Sequence, residues 1–170
     1  MIEVEVKARI PSDFPDRIIR DMVSGWEALP ERVQEDIYFS HPCRDFSKTD
    51  EALRIRCQGD ETLFTYKGPK LDGISKTREE LEVPCPEGLK QILERLGFER
   101  VGEIRKRRRS FFKEGVTVCL DDVEGLGKFL EIESRSEDAD SAEDLVGMLE
   151  EVGLKSERRS YLELLISGGC

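Results

Sequence analysis

The sequence predicts an α+β fold: about eight antiparallel strands and three or more helices, with the strands losing their edges by closing into a barrel. The opening stretch IEVEVKARI is the first reason. Ile2, Val4, Val6, Ala8 and Ile10 alternate without a break with Glu3, Glu5, Lys7 and Arg9, which is the period of a β-strand. Comparable alternation returns along the chain, in more strands than one open sheet of this size needs. Charge is the third reason. Asp, Glu, Lys and Arg make up 38% of the 170 residues, against about 25% in an ordinary domain, so there is more charge than a solvated surface requires.

The elements follow in order. PSDFPDRIIRDMVSGW is a helix that opens near Ser12 and closes at Gly25. VQEDIYFS, residues 33–40, is a strand, and the polar, turn-rich HPCRDFSKTDE after it is a loop. ALRIRCQ and ETLFTYKG flank Gly59-Asp60 as a hairpin. GPKLDG turns the chain into another strand, ISKTREELEV. PEGLKQILERLGF begins with Pro86 and ends at Gly97, as a short helix does. A basic stretch, EIRKRRRSFF, comes next. VTVCLDDV and GKFLEIES, joined at Glu124-Gly125, form a second hairpin. SAEDLVGMLEEVGL is a helix with Ser141 as N-cap and Asp144 in the capping-box position. YLELLI is a short apolar element near the end.

Writing each strand by its two faces sorts the charges. Arg54 and Arg56 share a face opposite Leu53, Ile55 and Cys57. Thr65 and Lys67 oppose Phe64 and Tyr66. Lys76, Arg78, Glu80 and Glu82 fall together, as do Thr117, Cys119 and Asp121, and then Phe129, Glu131 and Glu133. Acids dominate the first and last strands and cations those between, with KTREELEV the mixed case. A charged strand face is also what a solvated sheet shows. Repetition over five strands, and like-charged neighbours such as Arg54 and Arg56, favour instead a lined hole holding divalent cations beside a polyanion.

Other classes are disfavoured. The net charge of −10 opposes nonspecific nucleic-acid binding, although the run from Arg105 to Arg109 admits a local basic patch. That run has no aromatic interleaving, so a nucleic-acid partner is not expected. Five cysteines without a C-x-x-C pair suggest reduced thiols rather than a disulfide framework or a zinc cluster. There is neither a leader-like N-terminus nor an apolar run long enough to span a bilayer, so a cytoplasmic protein is expected.

The combination of motifs resembles the CYTH family, also called triphosphate tunnel metalloenzymes. Glu3-Val4-Glu5-Val6-Lys7 matches the family's ExExK signature. DIYFSHPCRDF, ALRIR, YKGPK, TREELEV and LDDVEGLGKFLEIE follow in the family's order over nearly the whole chain. YFSHPCRDF and EALRIR look most like the class IV adenylyl cyclase branch. The resemblance implies one CYTH domain over 1–170, a closed eight-stranded antiparallel barrel with helices packed outside, and a tunnel that binds a triphosphate with Mg²⁺ or Mn²⁺.

It also implies roles. Glu3, Glu5, Glu131 and Glu133 hold metal, since hard cations prefer carboxylate oxygen. Lys7, Arg54, Arg56, Lys67, Lys106 and Arg108 hold phosphate oxygens, with Arg78 and Glu80 on the tunnel wall. Arg78 serves as a further phosphate ligand or joins a structural ion-pair network. Glu3, Glu5, Lys7 and Asp121 form the catalytic set, Asp121 adding a ligand or placing a metal-bound water. The register of the basic run is open from its residues alone; the family pattern turns Lys106 and Arg108 inward and leaves Arg105, Arg107 and Arg109 outside, where an apolar face is expected. His41 is an exposed loop histidine near a tunnel mouth and not a base. The leading reading is a class IV adenylate cyclase converting ATP to cyclic AMP and pyrophosphate. The alternatives are a triphosphatase acting on inorganic triphosphate, thiamine triphosphate or nucleotides, and a noncatalytic polyphosphate or RNA binder. A homodimer is expected on resemblance alone.

Overall fold

Strict alternation makes Ile2–Arg9 a strand, β1, and both of its faces are withdrawn from water. Val4, Val6 and Ala8 are buried on one side, and Glu3, Glu5 and Lys7 on the other. A strand can do this only if one face meets covering helices and the other looks into an enclosed interior. The computed structural model describes residues 2–71, 77–136 and 142–168, and its architecture supplies both environments.

The elements after β1 are α1 (Asp16–Met22), β2 (Glu27–Ala28), β3 (Arg32–Ser40), α2 (Phe46–Thr49), β4 (Ala52–Gln58) and β5 (Glu61–Lys67). Then come β6 (Arg78–Pro84), α3 (Leu89–Arg95), β7 (Glu99–Lys113), β8 (Val116–Val123), β9 (Gly127–Ser136), α4 (Ala142–Glu151) and α5 (Tyr161–Ser167). Eight strands run β7-β3-β4-β5-β6-β1-β9-β8, and β8 pairs back onto β7, which closes the ring. All of these pairings are antiparallel. The short β2 adds to β7 at Ala28↔Phe111 and Glu27↔Phe112. Closure hangs on β7. Its 15 residues pair with β3 along the first part and with β8 along the second. The β1–β6 seam is short, with Ile2 opposite Glu79 and Glu3 opposite Arg78.

The expected eight-stranded closed barrel is therefore observed, with some differences in detail. The basic stretch is strand β7 throughout. The loop at 41–51 contains α2, a single turn capped by Asp45, whose carboxylate accepts from Ser47 N at 3.1 Å. The first helix is shorter than expected and begins after Pro15, which holds an extended backbone at its N-cap. YLELLI is a helix, α5, with a complete Ser160–Glu163 capping box. Lys76 and the Ser141 cap lie outside the described residues.

Helices cover the apolar outer faces. α4 and the chain after it set Leu145, Leu149 and Leu154 against Val4, Val6, Val118, Leu130 and Ile132 of β1, β8 and β9. α3 sets Leu93 on Phe39, Leu53 and Ile55. A third cluster has a different place. Ile104, Val123 and Phe129 share the inner face of β7, β8 and β9 with the charged residues, and they meet Tyr161 and Leu164 of α5. This apolar cluster closes one end of the barrel. Gly102 permits the approach, since a Cβ there would lie 2.4 Å from Leu162 Cδ1.

Leu149 lies on α4, outside the barrel, and is 1% exposed. Leu149→Ala is expected to cost about 2–4 kcal/mol of stability in urea unfolding. Anion binding inside the barrel, measured well below the transition, should be unchanged.

Candidate active site

Alternation decides which side chains point inward, and closure puts them in one cavity of about 840 Å³. Its wall carries Glu3, Glu5 and Lys7 from β1, Asp36 from β3, Arg54 and Arg56 from β4, and Lys67 from β5. Arg78 and Glu80 come from β6, Lys106 and Arg108 from β7, and Glu131 and Glu133 from β9. The seven buried cations among the described residues are Lys7, Arg54, Arg56, Lys67, Arg78, Lys106 and Arg108, the same seven singled out in the sequence. Arg105, Arg107 and Arg109 face outward. Two of them meet carboxylates rather than apolar cover, with Glu35 and Glu124 on Arg105 and Glu31 near Arg107.

Charges of both signs meet inside, because a buried charge without a partner is costly. Asp36 takes a two-pronged grip from Arg56, with Nε and Nη2 each at 2.7 Å, and Arg54 stands 3.6 Å away. Asp121 accepts from Lys106 at 2.8 Å, from Arg108 at 2.7 and 2.6 Å, and from the Tyr161 hydroxyl at 2.9 Å. Arg108 also reaches Glu131 and lies 3.7 Å from Glu133. Lys67 bridges Glu3 and Glu80. The ring of Tyr161 carries the ammonium groups of Lys7 and Lys106 over it, 4.3 and 4.9 Å from its centroid. Nε of Arg54 and Nε of Arg78 find no hydrogen-bond partner among the described residues, so donors remain for an anion.

The titration of these groups follows from the pairing. Burial works against the charged form of Asp36, but Arg54 and Arg56 outweigh it and hold the carboxyl well below the usual range. Asp121 is likewise held low against its burial, by Lys106 and Arg108. Glu80, despite burial, is brought down to about 2 by its bond with Glu3 and the charge of Lys67. Glu3 moves the other way. Burial raises it beyond what Lys67 removes, and Glu80 and Glu5 add to the rise. Glu133 is raised by burial, with Glu3, Glu131 and Glu5 contributing against Arg108.

That last group bears on a metal. Glu5 stands directly opposite Glu133 on the neighbouring strand, and Lys7 opposite Glu131. Facing carboxylates are unfavourable unless a cation lies between or near them. The donor set is hard oxygen of the kind Mg²⁺ or Mn²⁺ prefers, so Glu3, Glu5, Glu131 and Glu133 fit such an ion chemically. Among the described residues, no three acidic, His or Cys side chains are arranged as a preformed cage.

Some inward groups were not singled out in the sequence. Asp36 is one, although its alternation with Gln34 and Tyr38 within VQEDIYFS was there to be read. Tyr161 is another, and no local pattern shows that an apolar element will cap the barrel. Cys119, 1% exposed, shares its strand face with Asp121, and burial pushes its thiol up. His41 differs from expectation in being half-buried. Its ring stands edge-on to Phe98 at 5.2 Å and its Nδ1 accepts from Cys43 N, which is a packing role.

The sequence pattern of the CYTH domain matches residues 1–161. A Methanocaldococcus jannaschii protein named "Putative adenylate cyclase" is 43% identical over 174 residues, covering 96% of this chain and 98% of its own. "Adenylate cyclase CyaB" of Aeromonas hydrophila is 28% identical over 145 residues, covering 80% and 74%. A solved structure from Pyrococcus horikoshii OT3 superposes with a TM-score of 0.86 at 46% identity, covering 98% of this chain and 99% of that one.

Asp36→Asn leaves the Arg54–Arg56 pair without its counter-charge. It is expected to lower stability by about 3–5 kcal/mol in urea unfolding at neutral pH. The acid limb has a definite sign. The depressed carboxyls Asp36, Asp121 and Glu80 contribute stability that is whole above the unfolded value of about 4 and is lost as pH falls through their folded values. The raised carboxyls Glu3 and Glu133 act in reverse, costing stability when charged and returning it on protonation. The urea midpoint should therefore rise as pH falls from neutral toward the carboxyl range, then drop below about pH 4.

Proposed function

The chain belongs to the CYTH domain family, and we propose on that footing that it is a metal-dependent enzyme that grips a nucleoside triphosphate in its barrel, converting ATP to cyclic AMP and pyrophosphate. The observation that carries this reading is the enclosure of seven cations with a carboxylate cluster in one cavity. A chain of phosphates carries the complementary charge. The names of the M. jannaschii and A. hydrophila relatives support adenylate cyclase chemistry. The cavity of about 840 Å³ lies near the top of the ~300–1,000 Å³ that organic ligands occupy, which supports a substrate larger than inorganic triphosphate.

In that reaction the ribose 3′ oxygen bonds to the α-phosphorus. The bond from that phosphorus to the α–β bridging oxygen breaks, pyrophosphate leaves with the oxygen, and the 3′ proton is released. The protein's task is to align the nucleophile and absorb charge on the leaving group. Arg54, Arg56, Lys67, Arg78 and Lys7 would bind nonbridging oxygens along the chain. Lys106 and Arg108 would do so from a position fixed by Asp121 and Tyr161. With three donors already on its carboxylate, Asp121 is suited to orient these two cations rather than to accept the 3′ proton. Asp36 would orient Arg56 by occupying one edge of its guanidinium. Glu3, Glu5, Glu131 and Glu133 would hold Mg²⁺ or Mn²⁺, which when bound supplies electrostatic stabilisation at phosphate oxygens.

The test is to incubate pure protein with ATP, and separately with tripolyphosphate, in Mg²⁺ and in Mn²⁺, and to resolve all products. Cyclic AMP with pyrophosphate is expected from ATP. Orthophosphate without cyclic AMP would replace the cyclase with a triphosphatase, and tight tripolyphosphate binding without turnover would leave a binder. Glu5→Gln and Glu133→Gln should each lower turnover by about a hundredfold or more while keeping the circular-dichroism spectrum of the parent.

A further inference from the structure

The cavity has an end that the phosphate chemistry leaves unused. Along β3, Gln34 lies one inward position before Asp36, on the side of the barrel away from the α5 cluster. It is 4% exposed. Its Nε2 donates to Gln58 Oε1 at 2.9 Å, and its Oε1 has no hydrogen-bond partner among the described residues. A buried amide oxygen without a donor is rare and costly, so it calls for a ligand or another explanation.

The amide is held in this sense by its neighbours. Gln58 Nε2 donates to Glu61 Oε2 at 3.2 Å, and Arg32 pairs with the same carboxylate oxygen at 3.4 Å. Glu61 can only accept, so the amide nitrogen of Gln58 turns toward it and the Gln58 oxygen turns toward Gln34. Gln34 must then meet Gln58 with its nitrogen, which leaves its oxygen without a donor on a side chain that lines the cavity. The same region of the wall is apolar, with Leu29, Pro30, Leu63 and Phe112. Leu29 and Phe112 are 38% and 40% exposed, so this wall offers apolar surface on which a flat ring can lie.

We infer that this end of the cavity is a nucleobase subsite in which Gln34 Oε1 accepts a hydrogen bond from an exocyclic amine. The flat base would lie against the apolar wall formed by Leu29, Pro30, Leu63 and Phe112. The next inward layer along the strands, Asp36–Arg56 on β3 and β4, begins the phosphate-binding region, so base and phosphates would follow each other along the barrel. An acceptor fixed in this way favours adenine, whose position 6 carries a donor amine. It disfavours hypoxanthine, whose position 6 carries a carbonyl oxygen and which has no exocyclic amine. The inference rests on the nucleoside triphosphate reading and adds which bases are admitted and by which residue.

The experiment measures dissociation constants for ATP, inosine triphosphate and tripolyphosphate in Mg²⁺, for the parent, Gln34→Leu and Gln58→Ala. The parent should bind ATP about tenfold more tightly than inosine triphosphate. Gln34→Leu should erase that ratio by weakening ATP alone. Gln58→Ala frees the amide to turn, so it should tighten inosine triphosphate while loosening ATP, which a merely structural role would not do. Unchanged tripolyphosphate binding in both variants reports that the barrel is intact. A parent that binds both nucleotides equally, or a Gln34→Leu variant that keeps the preference, would overturn the subsite while leaving nucleotide chemistry standing. Tripolyphosphate binding with neither nucleotide bound would overturn the nucleotide reading and the subsite together.

Discussion

The structure depends on keeping a dense set of charges away from bulk water without leaving any of them uncompensated. Seven cations and several carboxylates share one interior, and pairing is what makes their burial tolerable. The pairs are not local. Lys67 meets Glu3 across 64 residues of chain, and Arg108 meets Glu131 across 23. Each ion pair therefore also ties strands together. The interior is a binding surface and part of what specifies the register of the barrel.

Pairing is uneven, and the unevenness has chemical content. Asp36 and Asp121 are saturated with donors and stay ionised far into acid. They fix Arg56, Lys106 and Arg108 in place. On the β1–β9 side carboxylates crowd one another, and Glu3 and Glu133 resist ionisation. One side of the cavity thus has preorganised cations and the other an excess of negative charge suited to a hard cation. A barrel can keep these two fields a few ångströms apart because neighbouring strands hold a fixed spacing.

The outer surface is what allows the interior to be polar. Because the inner faces of the strands contribute little hydrophobic burial, stability falls to the outer faces and the helices on them. α4 over β1, β8 and β9 and α3 over β3 and β4 do this. The exception is the cluster around Phe129 and Tyr161, where apolar contact enters the barrel and closes one end. That floor gives the cavity a direction, with cations above Tyr161 and a less polar opening at Leu29 and Phe112.

Much of this was legible in the sequence. Strand parity is a local property, because successive side chains must point to opposite faces. IEVEVKARI and ALRIRCQ therefore put Glu3, Glu5 and Lys7, and Arg54 and Arg56, each on one face without knowledge of the fold, whereas the inward register of Lys106 and Arg108 came from the family resemblance. What the tertiary structure alone decided is which charges meet, and where the interior ends. The Asp36–Arg56 grip depends on β3–β4 register, the Tyr161 hydroxyl on Asp121 depends on α5 crossing 40 residues of chain, and the orientation of the Gln34 amide depends on Gln58 and Glu61. Residue periodicity carries the facing of a side chain. It carries nothing about the partner, because partners are set by closure of the sheet and by the balance of charge inside it.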